Sequence, residues 1–141
     1  MSHGFINEPN LYLVLSSQTF LLPVYVWYSR DTSYIYLFLW MTSTFFHSYP
    51  STFSHNLDRV AITVAVLHTP VLMYNQYGLI WCIIPHVYNY IVFVYGYKHK
   101  KYFFDSNLQV KTAYHVGMHI LASLCLTLGG ILTSQQKKQY Q

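Results

Sequence analysis

The stretch Ser43-Thr-Phe-Phe-His47, followed by Asn56-Leu-Asp58, organises this chain because it places a hydroxyl, an imidazole and a carboxylate in a strongly apolar sequence. Residues four apart share one face of a helix, so Ser43 and His47 are predicted to point the same way near the end of one apolar run. Asp58 opens the next apolar run. Ionisable groups at such positions are costly and usually functional, so we expect this stretch to form part of a site.

A second polar pair repeats the four-residue spacing. His115 and His119 lie in Tyr114-His-Val-Gly-Met-His119, at the start of the last apolar run. A catalytic zinc ion typically takes three protein ligands and leaves its fourth position to water. We therefore predict that His47, His115 and His119 hold one metal ion inside a helical bundle.

The composition is typical of a membrane protein. Charged residues make up 9% of the 141 residues, whereas hydrophobic residues reach 53% and aromatic residues 19%; a soluble domain is about a quarter charged. The net charge of +4 comes mostly from lysines beside apolar runs. That placement indicates membrane topology and lipid-phosphate contact, and we expect no nucleic-acid partner.

The predicted fold class is all-α, a polytopic transmembrane helical bundle in one domain over 1–141. Crossing the hydrocarbon layer takes about 20 helical residues, and five segments meet or approach that length. The predicted spans are residues 11–28, 33–48, 58–74, 79–97 and 112–132. Pro85 predicts a kink in the fourth span, and Asn56 or Asp58 can cap the third.

Several shorter features complete this prediction. Polar breaks are expected at 30–32 and 75–78, and a frayed tail over 134–141. Residues 1–9 lack the features of a cleaved signal, so the first span is expected to remain. Cys82 and Cys125 lie inside apolar runs and are interpreted as small apolar fillers. Tyr102-Phe-Phe104, in the long polar connection, is expected to act as an aromatic interface anchor.

Five antiparallel spans place the polar groups on one side of the membrane. The end of the second span and the starts of the third and fifth fall together, so the hydroxyl, the carboxylate and the three imidazoles share one depth. More cationic residues flank this side (Arg59, Lys98, Lys100, Lys101 and Lys111) than the other (Arg30, Lys137 and Lys138). The positive-inside rule then predicts a multi-pass integral membrane protein with the metal site towards the cytosol.

The predicted chemistry is hydrolysis. A ring of neutral imidazoles leaves the ion its full charge, which lowers the pKa of bound water to about 7 and lets hydroxide attack an ester or amide carbonyl. Asp58 is the expected proton acceptor or orienter of an imidazole, and Ser43 the expected donor to the developing oxyanion. The structural alternatives are that Asp58 is only a helix cap and that Ser43 bonds only to its own helix.

The ordered pattern of Ser43-x-x-x-His47, then Asp58 after ten intervening residues, then His115-x-x-x-His119 resembles a known superfamily. It is similar to that of the alkaline ceramidases, progestin and adipoQ receptors, and GPI-lipid-processing membrane hydrolases, and the first three residues are spaced as in the ceramidase branch. The resemblance implies a zinc-dependent, ceramidase-like lipid hydrolase of endomembranes whose substrate enters from the bilayer. It also implies that the three imidazoles are the zinc ligands, with Ser43 and Asp58 beside the metal-bound water.

The chain departs from this family in two respects. The family has seven spans, so two are missing between the span that carries Asp58 and the span that carries His115. Losing two spans keeps the site residues on the same side of the membrane, but the substrate site would be less enclosed. The chain would then be either a degenerate member of the family or a homo-oligomer. Asn7-Glu8-Pro-Asn10 resembles a ceramidase calcium element, but the other acidic ligands are absent and calcium takes six or more oxygens, so calcium near Glu8 and Asn10 is not expected.

Two other functions compete with the hydrolase. In a b-type haem electron carrier, two imidazoles on facing helices bind the iron, and His68 and His86 would then matter. Otherwise these two are interpreted as bundle histidines that make interhelical hydrogen bonds. In a receptor-like or assembly protein, the zinc would be structural and no turnover would occur. The remaining histidines, His3, His55 and His99, are interpreted as solvent or interface residues.

Overall fold

The computed structural model describes residues 8–27, 33–73 and 79–139, and these are helical with no strand among them. The predicted all-α fold class is confirmed. The predicted breaks at 30–32 and 75–78 lie outside the described residues, as does the side chain of Cys82, whereas Cys125 is buried as a free thiol.

The first three helices coincide approximately with the first three predicted helical segments. Helix α1 covers Leu11–Val26, with a 3-10 turn at Gln18–Phe20, and begins where the Asn10 side chain accepts a hydrogen bond from the Leu13 N–H at 3.3 Å. Helix α2 covers Ser33–Ser48 and α3 covers Thr52–Met73.

Helix α3 begins earlier than its predicted cap. The Ser51 hydroxyl accepts from the Ser54 N–H at 3.0 Å and the Ser54 hydroxyl accepts from the Ser51 N–H at 2.9 Å, which satisfies two backbone donors at the helix start. Neither Asn56 nor Asp58 is therefore the cap. Asp58 lies in the second turn, where its carboxylate is available for another role.

The last two helices are joined by a short turn. Helix α4 comprises Leu79–Tyr90, a π turn at Ile91–Tyr95 and a final turn at Gly96–His99, with Pro85 inside it. A 3-10 turn at Tyr102–Phe104 leads to α5, Leu108–Gln139. The tail predicted to fray is thus helical to residue 139. Helix α5 begins before residue 112 because Asn107 Oδ1 accepts from the Gln109 N–H at 2.8 Å.

The helix ends that carry the predicted site meet at one end of the bundle. The Asn10 N–H, before α1, donates to the His47 carbonyl in the last turn of α2 at 3.1 Å. The Asn10 amide Nδ2 also donates to Thr112 Oγ1 near the start of α5 at 3.1 Å. The starts of α1 and α5 and the end of α2 therefore share a level.

Contacts at the opposite end show that α1 runs parallel to α5 and that α2 runs antiparallel to α3. Trp27, after α1, donates from Nε1 to the Leu126 carbonyl of α5 at 3.2 Å. Tyr36, near the start of α2, has its hydroxyl 3.1 Å from Thr69 Oγ1, near the end of α3. The core around these two aromatic side chains includes Leu126 and lies about two to three helical turns from the imidazoles, because Leu126 is seven residues after His119 and Tyr36 is eleven residues before His47.

One described helical segment is long and apolar enough to cross a membrane, Leu108–Leu132 within α5. Helix α1 is apolar but shorter, over Leu11–Val26. Length and composition thus support membrane association through α5.

Candidate metal centre

Three imidazoles converge where α2 and α5 meet. Each of His47, His115 and His119 offers one ligand atom, and these atoms all lie within 4.8 Å of one another. The ring centroids of His115 lie 4.8 Å from those of both His47 and His119. His47 is 2% exposed and His119 3%, while His115 is half-buried. These three residues can hold a metal ion.

The His47 ring carries a buried atom with no partner. Its Nε2 is shielded from solvent and makes no hydrogen bond. Buried polar atoms in native proteins are almost always paired, and an unpaired one costs about 1–3 kcal/mol. Coordination of a cation would satisfy this nitrogen, so the donor set fits a metal.

The spacing of the ligand atoms also fits after a small closure. Tetrahedral zinc with ligands at about 2.0–2.1 Å places them about 3.4 Å apart. The observed separations are at most 4.8 Å, so the ligand atoms would have to move closer together to reach that spacing. His115 and His119 are on successive turns of one helix, so His47 is the residue whose position depends on helix packing.

A serine on α1 orients the His119 ring. Ser16 Oγ lies 2.8 Å from His119 Nδ1 and 3.0 Å from the Leu13 carbonyl, and both side chains are buried. A hydroxyl has one proton and a carbonyl only accepts. Both contacts are satisfied together when Ser16 donates to Leu13 and accepts from Nδ1–H, which leaves the Nε2 lone pair for a metal.

The neighbouring serine contacts Ser43 instead. Ser17 Oγ lies 2.8 Å from the Leu13 carbonyl and 3.0 Å from Ser43 Oγ. Ser43 is 2% exposed, and it also lines a cavity, described below, that lies beside the imidazoles. The Ser43 hydroxyl is therefore held from the α1 side while it borders the space in which a ligand can bind.

The Asp58 carboxylate is buried next to the metal centre but outside it. Thr42 Oγ1 lies 3.3 Å from Asp58 Oδ1 and 3.2 Å from the Leu39 carbonyl. Asp58 is 6% exposed and lines the same cavity as Ser43. It is not one of the three grouped ligands, so its position suits a proton acceptor better than a metal ligand.

Aromatic rings enclose the three imidazoles. The centroid of Phe46 lies 4.9 Å from that of His47, Phe20 lies 5.3 Å from His119, and Phe103 lies 5.2 Å from His115. Phe103 is buried rather than exposed as the interface anchor that the sequence predicts. Such an apolar shell limits water access and strengthens electrostatic interactions inside.

A cavity of about 90 Å³ adjoins the metal centre. Its wall includes Ser43, Asp58, His115 and His119, and the remainder is mostly apolar side chains from all five helices. A single water needs about 10–15 Å³ of such space, so the cavity has room for water or a piece of ligand chain beside the imidazoles.

No protein-family model, curated protein or solved structure matches this chain. The resemblance to the alkaline ceramidase superfamily therefore depends on the spacing of the hydroxyl, the carboxylate and the three imidazoles.

Other predicted residues have different surroundings. Asn10 uses its side chain to cap α1 and contact Thr112, and Glu8 is exposed. His86 lines the cavity, whereas His68 is half-buried on α3; their role as haem ligands stays a prediction.

Neither the contact of Ser16 with His119 nor that of Phe103 with His115 was predicted from the sequence. The only signal for Ser16 was the polar pair Ser16-Ser17 within an apolar helix, and that pair does not reveal which serine contacts a histidine.

Proposed function

We propose that this protein is a zinc-dependent intramembrane hydrolase that cleaves an amide or ester of a lipid. The carrying observation is the group of three buried or half-buried imidazoles within 4.8 Å, one with a buried, unpartnered Nε2. We further propose that the chain is a shortened, five-span member of the alkaline ceramidase superfamily.

The donor set favours zinc over harder cations. Imidazole suits zinc, copper, iron and nickel, whereas calcium and magnesium prefer oxygen ligands. Three protein ligands also leave a coordination position open, as catalytic zinc sites do. When bound, zinc supplies a Lewis acid and lowers the pKa of its water to about 7.

In this proposal Asp58 handles the proton. Hydrolysis adds water across the C–N or C–O bond, so one water proton must leave as the new C–O bond forms and a proton must reach the departing amine or alkoxide. Thr42 contacts Asp58 Oδ1, so Oδ2 is the oxygen that takes and returns the proton. A buried carboxylate beside the cavity suits this role.

Ser43 is the proposed donor to the carbonyl oxygen of the substrate. Its hydroxyl borders the cavity and pairs with Ser17 Oγ. The Ser17 hydroxyl donates its one proton to the Leu13 carbonyl, so Ser43 donates to Ser17 Oγ in this arrangement. To stabilise a developing oxyanion, the Ser43 proton would turn from Ser17 into the cavity.

The outward faces of the helices support a bilayer setting. On α5 the exposed apolar side chains recur every three or four residues, and α3 has a similar stripe: Ile120, Leu124, Leu128 and Ile131, then Val60, Val64, Leu67 and Val71. Only 33% of the most apolar stretch of α5 is buried, whereas the core helix of a soluble protein is mostly buried. Contiguous exposed apolar surface of this kind suits contact with lipid.

We also propose a five-span topology, in which successive helices run antiparallel and each of the five crosses the membrane once. Helix α2, with 16 residues, is about 24 Å long, short of the roughly 30 Å of hydrocarbon. A short span places its polar end close to the membrane surface. Substrate from the bilayer and water from that surface could then both reach the imidazoles.

Metal analysis of purified protein tests the proposal. We expect about one zinc per chain and loss of zinc in His119→Ala. His55→Ala is the matched control, because the His55 ring contacts Phe46 but is not part of the group of three. Full zinc content in a variant with alanine at residues 47, 115 and 119 would exclude this site. Zinc without any change in lipids on expression would instead indicate a non-catalytic, receptor-like member.

A further inference from the structure

The side chain of Asn89 presents the second unsatisfied buried atom of the described residues. Its Oδ1 is shielded from solvent and has no hydrogen-bond partner, a condition shared only with His47 Nε2 in the described part of the chain. Since the His47 atom has an explanation in metal binding, the Asn89 oxygen still needs a hydrogen-bond donor.

Asn89 lies on the α4 wall of the cavity. Pro85, His86 and Asn89 occupy one face of α4 and line the cavity that also borders Asp58 and His119. The π turn at Ile91–Tyr95 begins two residues after Asn89. Proline and π turns both redirect side chains, and π turns are frequent at functional sites.

The chemistry of this atom defines the ligand. An amide Oδ1 only accepts, so its partner must offer an N–H or O–H. Most of the surrounding wall is apolar, which suits a hydrocarbon chain.

We propose that Asn89 is a specificity-determining residue that accepts a hydrogen bond from an N–H or O–H group on an apolar-chain ligand. This inference rests on the proposed function, since the ligand is then the lipid whose carbonyl faces the imidazoles.

A hydrogen-bond donor on the ligand should therefore control affinity. A ligand with the donor satisfies Oδ1, whereas the same ligand with that group methylated leaves a buried acceptor unpaired. Sites built to pair a polar group discriminate strongly against analogues that lack it. For one neutral hydrogen bond we expect a difference of about tenfold in Kd.

Binding of matched ligand pairs to zinc-depleted protein in nanodiscs tests this, with calorimetry as the readout. The first pair is a long-chain secondary amide and its N-methyl form. The second is a hydroxyalkyl ester of the same chain and its methoxy form. The wild type should prefer the donor in at least one pair by about tenfold, and which pair shows it identifies N–H or O–H as the recognised group.

Asn89→Leu should abolish that preference, and Asn89→Ala serves as a second, smaller variant. Thr69→Val is the control, since Thr69 also lines the cavity but its hydroxyl already bonds to Ala65 and Tyr36. This variant should keep the preference. Equal affinity of the wild type for both members of both pairs would overturn the inference, as would a preference that survives in both Asn89 variants.

Zinc content and lipid hydrolysis are then measured on the same preparation after zinc has been restored. These two measurements test the proposed function separately from the role of Asn89. Turnover with zinc but no donor preference overturns only the role of Asn89. A preference that depends on Asn89 in a protein without zinc or turnover supports the binding role and overturns the hydrolase.

Discussion

Ser16 and His119 are joined by a buried contact of 2.8 Å between Oγ and Nδ1, although they lie 103 residues apart. This contact makes α1 part of the metal centre. It fixes both the plane of the imidazole and the nitrogen that faces the other two rings. Partners of this kind hold ligating histidines in position and raise their basicity.

Ser16→Ala should weaken zinc binding by about 10–100-fold, since loss of such partners has that effect on metal sites. The ring of His119 would lose its orientation, and Nδ1 would be left buried without its partner. Competition with a chromophoric chelator on detergent-solubilised protein measures the change.

Ser17→Ala is the matched control for that experiment. Ser17 bonds to the same Leu13 carbonyl but contacts Ser43 rather than a histidine. Its zinc affinity should match the wild type, and Ser16→Thr, which keeps the hydroxyl, should restore most of the loss. An equal loss in both alanine variants would assign the effect to α1 stability.

Asp58→Asn should retain zinc and lose hydrolysis by about 10²–10⁴-fold, the usual contribution of a general base. The carboxylate is not among the three grouped ligands, and an amide cannot take a proton. Lipid profiling by mass spectrometry and zinc analysis on the same preparation measure both effects. Asp105→Asn, in the turn before α5, should behave as wild type. Loss of zinc in Asp58→Asn would instead place this residue in the metal centre.

Gly96→Ala should destabilise the protein by about 1–3 kcal/mol, as overpacking does. A Cβ at residue 96 would lie 2.7 Å from the Lys101 carbonyl, where the chain turns back on α4. The turn that follows brings Phe103 against His115, so zinc affinity should fall as well.

Thermal unfolding in detergent measures the stability change, with Gly117→Ala as the control. At residue 117 the nearest contact of a Cβ is the Tyr88 hydroxyl at 3.3 Å, the far end of a side chain. That variant should be neutral or more stable, because alanine is the better helix former. Equal unfolding temperatures for the two variants would contradict this account of the turn.

Zinc should stabilise the folded protein because its ligands come from two helices. A ligand at 100 times its Kd adds about 2.7 kcal/mol when it binds only the folded state. A chelator should therefore lower the unfolding temperature of the wild type but not of His47→Ala, which removes the only ligand from α2. The same downward shift in both proteins would show that the effect does not arise at this centre.

The sequence by itself determined the helices and the local pairs of the site. Alternation of polar and apolar residues predicted five helical segments, and four-residue spacing placed Ser43 with His47 and His115 with His119 on shared faces. Because successive helices were expected to run antiparallel, the two pairs were predicted to lie at the same end of the bundle. These features follow from the helical repeat, which depends on neighbouring residues alone.

Only the tertiary structure decided which side chains serve those groups. Ser16 and Ser17 are adjacent and chemically identical, but their side chains diverge around the helix, so the rotation of α1 sends one to His119 and the other to Ser43. The burial of Phe103 on His115 and the unpaired oxygen of Asn89 likewise depend on helices distant in sequence. Helical periodicity fixes the direction of a side chain relative to its own axis, whereas packing against the other helices fixes what it meets.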